Sequence, residues 1–501
     1  MYNTIREILV NSEKQFGSGD AVRWKKSKKE TTSKTYTELK EDSEAFSCAL
    51  SALGLEGSHV AVMGMSSYYW IAAYLGIVDS GGVAVPLDVS LPLDDLLELV
   101  DRSDAEALVV DSARPDAAMA AKKRCPKLKA VIRMDLEEDV DGYLSFARLL
   151  SENRGVCSYE PQPDDFCTIM FTSGTTGKSK GVMLTHRNLA NNATCLDMKI
   201  PFRTVILSVL PIHHAYCLSN DILKGISLGA VICINDSLMH MAKNILLFQP
   251  EMILMVPQMI ETMARKMEDA KGVPPEMARK AVFGEKLHTI VSGGAYLNPD
   301  YIDLFDRFGI RIQQGYGMTE CSPVISTNQS WDIRKDTVGQ LLPNCEAKSV
   351  DGELWVKGSS VMKGYYKMPE ETAEALADGW LKTGDLGYVD EDNFVHLTGR
   401  KKNLIITKNG ENVSPEELEN KLSASRLVKE VLVRENEGRI EAEIFPDLDD
   451  VKKQGIGDIR AALQDLVDAC NRELPSYKRI YSLKVRETEF EKTPSKKIKR
   501  Y

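Results

Sequence analysis

Between residues 36 and 160 the chain alternates two kinds of apolar spacing. Residues 37–53 place apolar side chains three and four apart, the period of a helix face. Residues 60–63 form a short apolar run closed by Gly64, the pattern of a buried strand. Residues 70–78 read as a helix, Gly81-Gly82 breaks it, and Val83–Leu87 reads as the next strand. Residues 94–100 are again helical and Ala107–Val110 is again strand-like. The same rhythm returns in the apolar runs 204–210, 230–234, 252–256 and 289–291. Alternation of this kind predicts a mostly parallel sheet covered by helices.

From about Asp351 the pattern changes. GELWVKG, GYVD, NFVHLTGR and LIITKNG read as short antiparallel strands with Gly and Asp turns. Ser414-Pro415-Glu416-Glu417 reads as a helix start, with Ser as N-cap, Pro at the first position and Glu at the capping-box position. A strand pair (431–434 and 440–444), a helix (456–474) and a last strand (Ser482–Val485) follow. The expected fold class is therefore α/β: a large N-terminal domain of layered sheets and helices, 1–400, and a small α+β domain, 401–501.

The 501 residues carry 63 Lys+Arg against 73 Asp+Glu, a net charge of −10, which argues against a nucleic-acid binder working by bulk positive charge. The charge is uneven: residues 471–501 hold ten basic and four acidic side chains. Alone, such a run reads as a solvated surface. Ten cysteines without a CxxC pair indicate neither a metal site nor a disulfide framework, and fit reduced thiols in the cytoplasm. The N-terminus meets charge too early for a signal peptide, and the apolar run 68–78 stops at Asp79, so no transmembrane segment is expected. Peripheral membrane contact stays open.

Candidate chemistry concentrates in residues 168–189, TIMFTSGTTGKSKGVMLTHRNL. A buried strand leads into a run of Ser, Thr, Gly and Lys, which offers backbone N–H groups and hydroxyls to an anion. A P-loop NTPase needs a helix directly after its Gly-Lys-Ser. Here Gly181-Val182-Met183-Leu184 reads as a strand, and a helix start comes only with Thr185 as N-cap. A plain surface hairpin is the other alternative.

FTSGTTGKSKGV resembles the signature loop of the adenylate-forming (AMP-binding) superfamily, and the RKKNLIIT and KTPSKKIKR segments look most like its bacterial long-chain fatty-acid CoA ligases. Ser179 stands where that motif usually has Pro, and Lys180 is the motif lysine. QQGYGMTE at 313–320 resembles the second signature, Ser292-Gly293-Gly294-Ala295 a third, and Thr383-Gly384-Asp385 with Gly399-Arg400 two more. Residues 410–419 resemble GxxVxPxELE, and TPSKKIKR at 493–500 resembles the final lysine motif, with Lys496 where Gly is usual.

The resemblance implies an acid–thiol ligase that uses ATP and Mg²⁺. A carboxylic acid would attack the α-phosphate to give an acyl-adenylate and pyrophosphate, and a thiol would then displace AMP. It assigns Thr172, Ser173, Gly174, Thr175, Thr176, Gly177 and Lys180 to the phosphates. Gly293, Gly294, Ala295, Gln314, Gly315, Tyr316 and Gly317 fall to the nucleotide, with Tyr316 against adenine. Thr319 goes to a phosphate oxygen, Glu320 to Mg²⁺, Asp385 to the ribose hydroxyls, and Arg400 to ribose or phosphate. Lys497 becomes the catalytic lysine, with Lys496 and Lys499 close enough to be confused with it. Lys402 falls at the hinge of a mobile C-terminal lid, and Gly410 at the thiol tunnel.

Pro211-Ile212-His213-His214-Ala215-Tyr216 aligns with the acyl-pocket motif, which puts His214 beside the acyl group. No acidic residue follows until Asp221, which favours an uncharged fatty or aryl acid over an amino acid. A satisfied core histidine pair reads equally well. The expected acceptor is coenzyme A, the alternative being the phosphopantetheine arm of an acidic acyl carrier protein acting in trans. An inactive nucleotide-binding sensor is the alternative from another class.

Overall fold

The structure, a computed structural model, describes residues 1–27, 30–172, 179–269, 274–407, 410–492 and 498–500. Ser173, Gly174, Thr175, Thr176, Gly177 and Lys497 lie outside the described residues, as does Lys496. The chain divides into two compact units, Met1–Glu346 with Val356–Leu381, and Ala347–Trp355 with Lys382–Tyr501.

Two mixed sheets build the larger unit. In the eight-stranded one, the described strands run in the order Gly364–Tyr365, Lys180–Thr185, Phe166–Thr172, Val83–Leu87, His59–Met63, Ala107–Val110, Ala130–Arg133 and Leu144–Ser145. From Phe166–Thr172 to Leu144–Ser145 neighbours are parallel, whereas Lys180–Thr185 pairs antiparallel with strands on both sides. The Val83–Leu87 strand is buried at every position, as expected where a parallel sheet is covered on both faces. Helix Leu93–Arg102 lays Leu96, Leu97, Leu99 and Val100 onto this sheet beside Ala117, Ala118 and Ala121 of helix Pro115–Arg124.

The nine-stranded sheet has a parallel centre: Asp20–Lys25, Val231–Ile234, Val205–Ser208, Met252–Met255, Thr289–Ser292 and Arg311–Gly317. Its far edge turns antiparallel at Val324–Thr327. The sharp return between Arg311–Gly317 and Val324–Thr327 demands glycine at 317. A Cβ there would lie 1.9 Å from the Pro323 carbonyl oxygen. The N-terminal stretch, read above only for its lack of a signal peptide, folds as helix Ile5–Phe16 with the Thr4 hydroxyl accepting from the Glu7 N–H.

In the second unit, strands Val428–Asn436, Arg439–Pro446 and Ser482–Val485 form a sheet. Ile440, Ala442 and Ile444 on one face pack with Leu418 and Leu422 of helix Pro415–Ser423 and Leu463 and Val467 of helix Ile459–Glu473. The helix at Pro415 starts where expected, but the Ser414 hydroxyl donates to Glu416 Oε2 at 3.0 Å and makes no capping bond to the helix N–H groups. Glu417 is likewise drawn away, to Lys478 at 2.6 Å. Among the described residues no helix is long and apolar enough to cross a membrane.

Candidate active site

The signature loop is carried by an antiparallel hairpin. Phe166–Thr172 pairs with Lys180–Thr185, with Thr172 opposite Lys180 and the Thr172 hydroxyl 3.4 Å from the Lys180 carbonyl. The two strands read from the sequence on either side hold, and the strand that begins at Lys180 stands where a Walker loop needs a helix. Arg102 braces the base of the hairpin by donating to the Ser179 carbonyl and lying 5.0 Å from the centroid of the Phe171 ring.

Helix His186–Thr194 follows, started by Thr185 and Asn188 as a reciprocal capping pair. It ties the first signature to the second. Asn192 donates to the carbonyls of Cys321 (3.2 Å) and Val324 (2.8 Å), and accepts from the Val324 N–H (3.2 Å). It also donates to the Ser360 hydroxyl at 2.9 Å. The Met362 N–H donates to the Glu320 carbonyl at 2.9 Å. Thr319 and Glu320 thus sit on a 3-10 turn, Thr319–Cys321, whose backbone is held from two directions.

Glu320 is buried, and its Oε1 accepts from the Tyr365 hydroxyl at 2.9 Å. The Lys180 ammonium lies 4.8 Å from the centroid of the same ring. The residues singled out from two separate motifs therefore meet on a third that no motif pointed to. Gln314 is differently employed: its amide donates to the Lys335 (3.0 Å) and Thr337 (3.1 Å) carbonyls and anchors the loop beyond. Tyr316, two residues on, is buried on the same strand.

The His213-His214 segment enters the wide π-helical stretch Cys217–Lys224, a form that recurs at functional sites. Tyr216 donates to the Val291 carbonyl at 3.2 Å, and its ring lies against Gly293, where a Cβ would come within 3.1 Å. Ser219 donates to the Ser322 carbonyl at 2.7 Å. The His213–Ser219 stretch, the Gly293-Gly294-Ala295 turn and the Thr319-Glu320 turn are thereby joined in one unit. Gly293 is buried, whereas Gly294 (φ +85°), Ala295 and His214 are exposed. Burial and neighbouring His214 push His213 down to about 4 against the pull of Asp88, 3.7 Å away, so His213 is neutral at pH 7. Burial lifts Asp221 up to about 7, so much of it is protonated there.

The second unit gathers its own cluster. Asp385 pairs across a hairpin with Arg400, Oδ1 to Nε, at 2.7 Å. The Thr383 hydroxyl accepts from the Asp385 N–H at 3.1 Å and donates to the Leu354 carbonyl at 2.6 Å. Glu353, which no motif marked, accepts from the Gly384 N–H (3.0 Å) and from Lys401 (2.9 Å). Lys402 lies in the one-turn segment Lys401–Asn403, and Gly410 in an exposed bend at φ +80°. Of the last motif, Ile498 packs with Leu432, Phe445 and Phe490, and Arg500 donates to Glu419. Much of the basic C-terminal run is spent inside this unit: Lys484 and Arg486 bind Glu443, and Lys492 binds Glu430.

A family model described as AMP-binding enzyme matches residues 11–366, and one described as AMP-binding enzyme C-terminal domain matches 402–501. The chain belongs to the AMP-binding enzyme family. It is 30% identical over 439 residues to 4-coumarate–CoA ligase-like 9 of Oryza sativa subsp. japonica, spanning 80% of this chain and 75% of that protein. It is 29% identical over 502 residues to the long-chain-fatty-acid–CoA ligase of Escherichia coli O6:H1, spanning 89% and 85%. The solved structure of the anthranilate CoA ligase AuaEII with anthranoyl-AMP superposes with a TM-score of 0.84 at 20% identity, covering 99% of this chain and 95% of that one. That last likeness speaks for the fold. The class is that of AMP-forming acid–thiol ligases, enzymes of ATP, Mg²⁺ and coenzyme A.

Proposed function

We propose that this enzyme activates a fatty acid with ATP to the acyl-adenylate and transfers the acyl group to coenzyme A. The observation that carries the reading is the convergence of Lys180 and Glu320, one from each signature, on Tyr365. A carboxylate is a poor acyl donor because its leaving group would be oxide. Adenylation replaces that oxide by AMP. Charge gathers on the phosphates during both displacements, so the work of the chain is positioning and electrostatic stabilisation.

In this reading Thr172 through Gly177 and Lys180 hold the pyrophosphate end. Thr319 donates to a phosphate oxygen. Tyr316, on the strand of Gln314, Gly315 and Gly317, lies against adenine, with Gly293, Gly294 and Ala295 opposite. Asp385 and Arg400 take the ribose, Lys497 takes the acyl and α-phosphate oxygens, Lys402 is the hinge and Gly410 lines the thiol path. Residues 1–400 act as the adenylation domain and 401–501 as its lid. Glu320 would hold Mg²⁺. A single buried carboxylate with one oxygen already engaged suits an ion that takes its other ligands from phosphate and water. When bound, the ion supplies charge neutralisation at the phosphates.

The acid is uncharged at its far end. Asp221, the first acidic residue after the His213-His214 pair, is fully buried, and its rise to about 7 suits a neutral partner better than a substrate ammonium. Relatives named for long-chain fatty acids support an alkyl acid, and the relative named for 4-coumarate favours an aryl acid as the second reading. A carrier-protein phosphopantetheine is the alternative acceptor, and the reaction is placed in the cytoplasm.

The test is a panel of alkyl, aryl and amino acids with coenzyme A or acyl carrier protein, read by mass spectrometry for thioester and AMP. Thioester from aryl acids alone would replace the substrate assigned here, and ATP cleavage to ADP would overturn the ligase reading. Lys497→Ala is expected to stop adenylate formation while preformed adenylate is still converted to thioester. If Lys496→Ala does this instead, the lysine lies one position earlier.

A further inference from the structure

Tyr365 owes its place to strand register. It pairs with Val182 where Gly364–Tyr365 joins the edge of the eight-stranded sheet. Lys180 and Val182 lie two apart on their strand and so share a face, which makes Lys180 the diagonal neighbour of Tyr365. From there the Lys180 ammonium reaches 4.8 Å from the ring centroid. At the other end of the ring the hydroxyl donates to Glu320 Oε1 at 2.9 Å. The Tyr365 N–H donates to the Thr372 hydroxyl at 2.9 Å and the Tyr366 N–H to the Gly181 carbonyl at 2.7 Å, so the backbone carrying the ring is held on both sides. Tyr365 is only 7% exposed.

A lysine and a carboxylate in so small a space attract each other. A direct ion pair would have to be broken before either could meet phosphate or metal. The ring intervenes: a π face is a modest partner for an ammonium, readily exchanged for phosphate oxygens. We propose that Tyr365 is the positioning residue of the phosphate and metal end, its face parking Lys180 and its hydroxyl fixing one oxygen of Glu320 so that the two charges stay separate and available. The proposal rests on the roles given above to Lys180 and Glu320.

Two variants of the full chain separate the two ends of the ring. Tyr365→Phe keeps the face and removes the hydroxyl, and Tyr365→Leu removes both. Mn²⁺ binding is followed by electron paramagnetic resonance in the presence of α,β-methylene-ATP, which cannot be cleaved at the reacting bond. Binding of the analogue without metal is followed by calorimetry. Tyr365→Phe should weaken Mn²⁺ binding about 5-fold, the worth of one hydrogen bond, and leave metal-free analogue binding unchanged. Tyr365→Leu should weaken both. Wild-type Mn²⁺ affinity in the Phe variant overturns the proposal, as does an equal loss of metal-free analogue binding in the two variants. The Phe variant is nearly isosteric and decides the hydroxyl arm even if the Leu variant does not fold. Glu320→Gln and Lys180→Ala serve as controls. If Glu320→Gln binds Mn²⁺ normally, the role given to Glu320 has failed. If it loses Mn²⁺ while Tyr365→Phe does not, the proposal alone has failed.

Discussion

In the larger unit Glu320 and Asp221 are buried carboxylates that no described lysine or arginine reaches within ion-pair distance; one takes a tyrosine hydroxyl, the other a thiol. In the second unit Glu443 is just as buried, yet Arg434, Lys484 and Arg486 all converge on it within 2.9 Å. Glu353 there holds Lys401, and Asp385 holds Arg400. The contrast is local, since Asp79 of the larger unit pairs with Arg6. Burial pushes both Asp221 and Glu443 toward the neutral form, and partners decide the outcome. Asp221 rises to about 7. Burial also acts on Glu443, but the hydrogen bonds of Lys484 and Arg486 and the charge of Arg434 outweigh it and hold Glu443 below its ordinary range. Glu320, left without a counter-ion, is where a bound cation is expected to supply one, whereas the cations gathered on Glu443 mark it as structural.

The sharpest break of this contrast is Glu320→Gln. It should cut acid-dependent pyrophosphate exchange about 100-fold or more, the scale for losing a transition-state electrostatic contact, while calorimetric unfolding barely shifts. A large loss of stability would show that Glu320 is structural after all.

Asp221→Asn should act in the opposite sense, on stability and by pH. The folded carboxyl holds its proton up to about pH 7 while the unfolded one loses it near 4, so wild-type stability falls as pH rises through that window. The variant should gain about 4 kcal/mol at pH 8 and nothing near pH 4, read from denaturant unfolding at both pH values. Glu443→Gln should show the mirror image. Its folded pKa is depressed, so the wild-type advantage is present above the ordinary glutamate range and fades as pH falls below it. A cost of about 2 kcal/mol at pH 8, shrinking in acid, is expected from denaturant midpoints. The smallest effect belongs to Lys401→Ala. Its ammonium is half exposed, and removing it should cost about 0.5 kcal/mol by thermal unfolding.

Much of the frame was legible before the structure. The Val83–Leu87, Ala107–Val110 and Ser482–Val485 strands fall where apolar runs bounded by turns put them, and Thr185 starts its helix as its side chain predicts. The capping bond predicted at Ser414 does not form, because a carboxylate two residues on competes for the hydroxyl. Asn192, Glu353 and Tyr365 carried no readable signal. Each acts through partners tens to more than a hundred residues away, and Gly364–Tyr365 is a two-residue strand, too short for periodicity to register. The Tyr pair after Lys363-Gly364 was the only trace of it.

By itself the sequence determined the kinds of element, their order, and the chemical groups offered to a nucleotide, because hydrophobic period, turn residues and motif spacing are local properties. Only the tertiary structure decided which of those groups meet. Lys180 and Glu320 are separated by 140 positions, and it takes an edge strand from residue 364 to set one ring between them. The ionisation of Asp221 and Glu443 was decided there too, since the field at a carboxylate depends on which cations the fold brings to it.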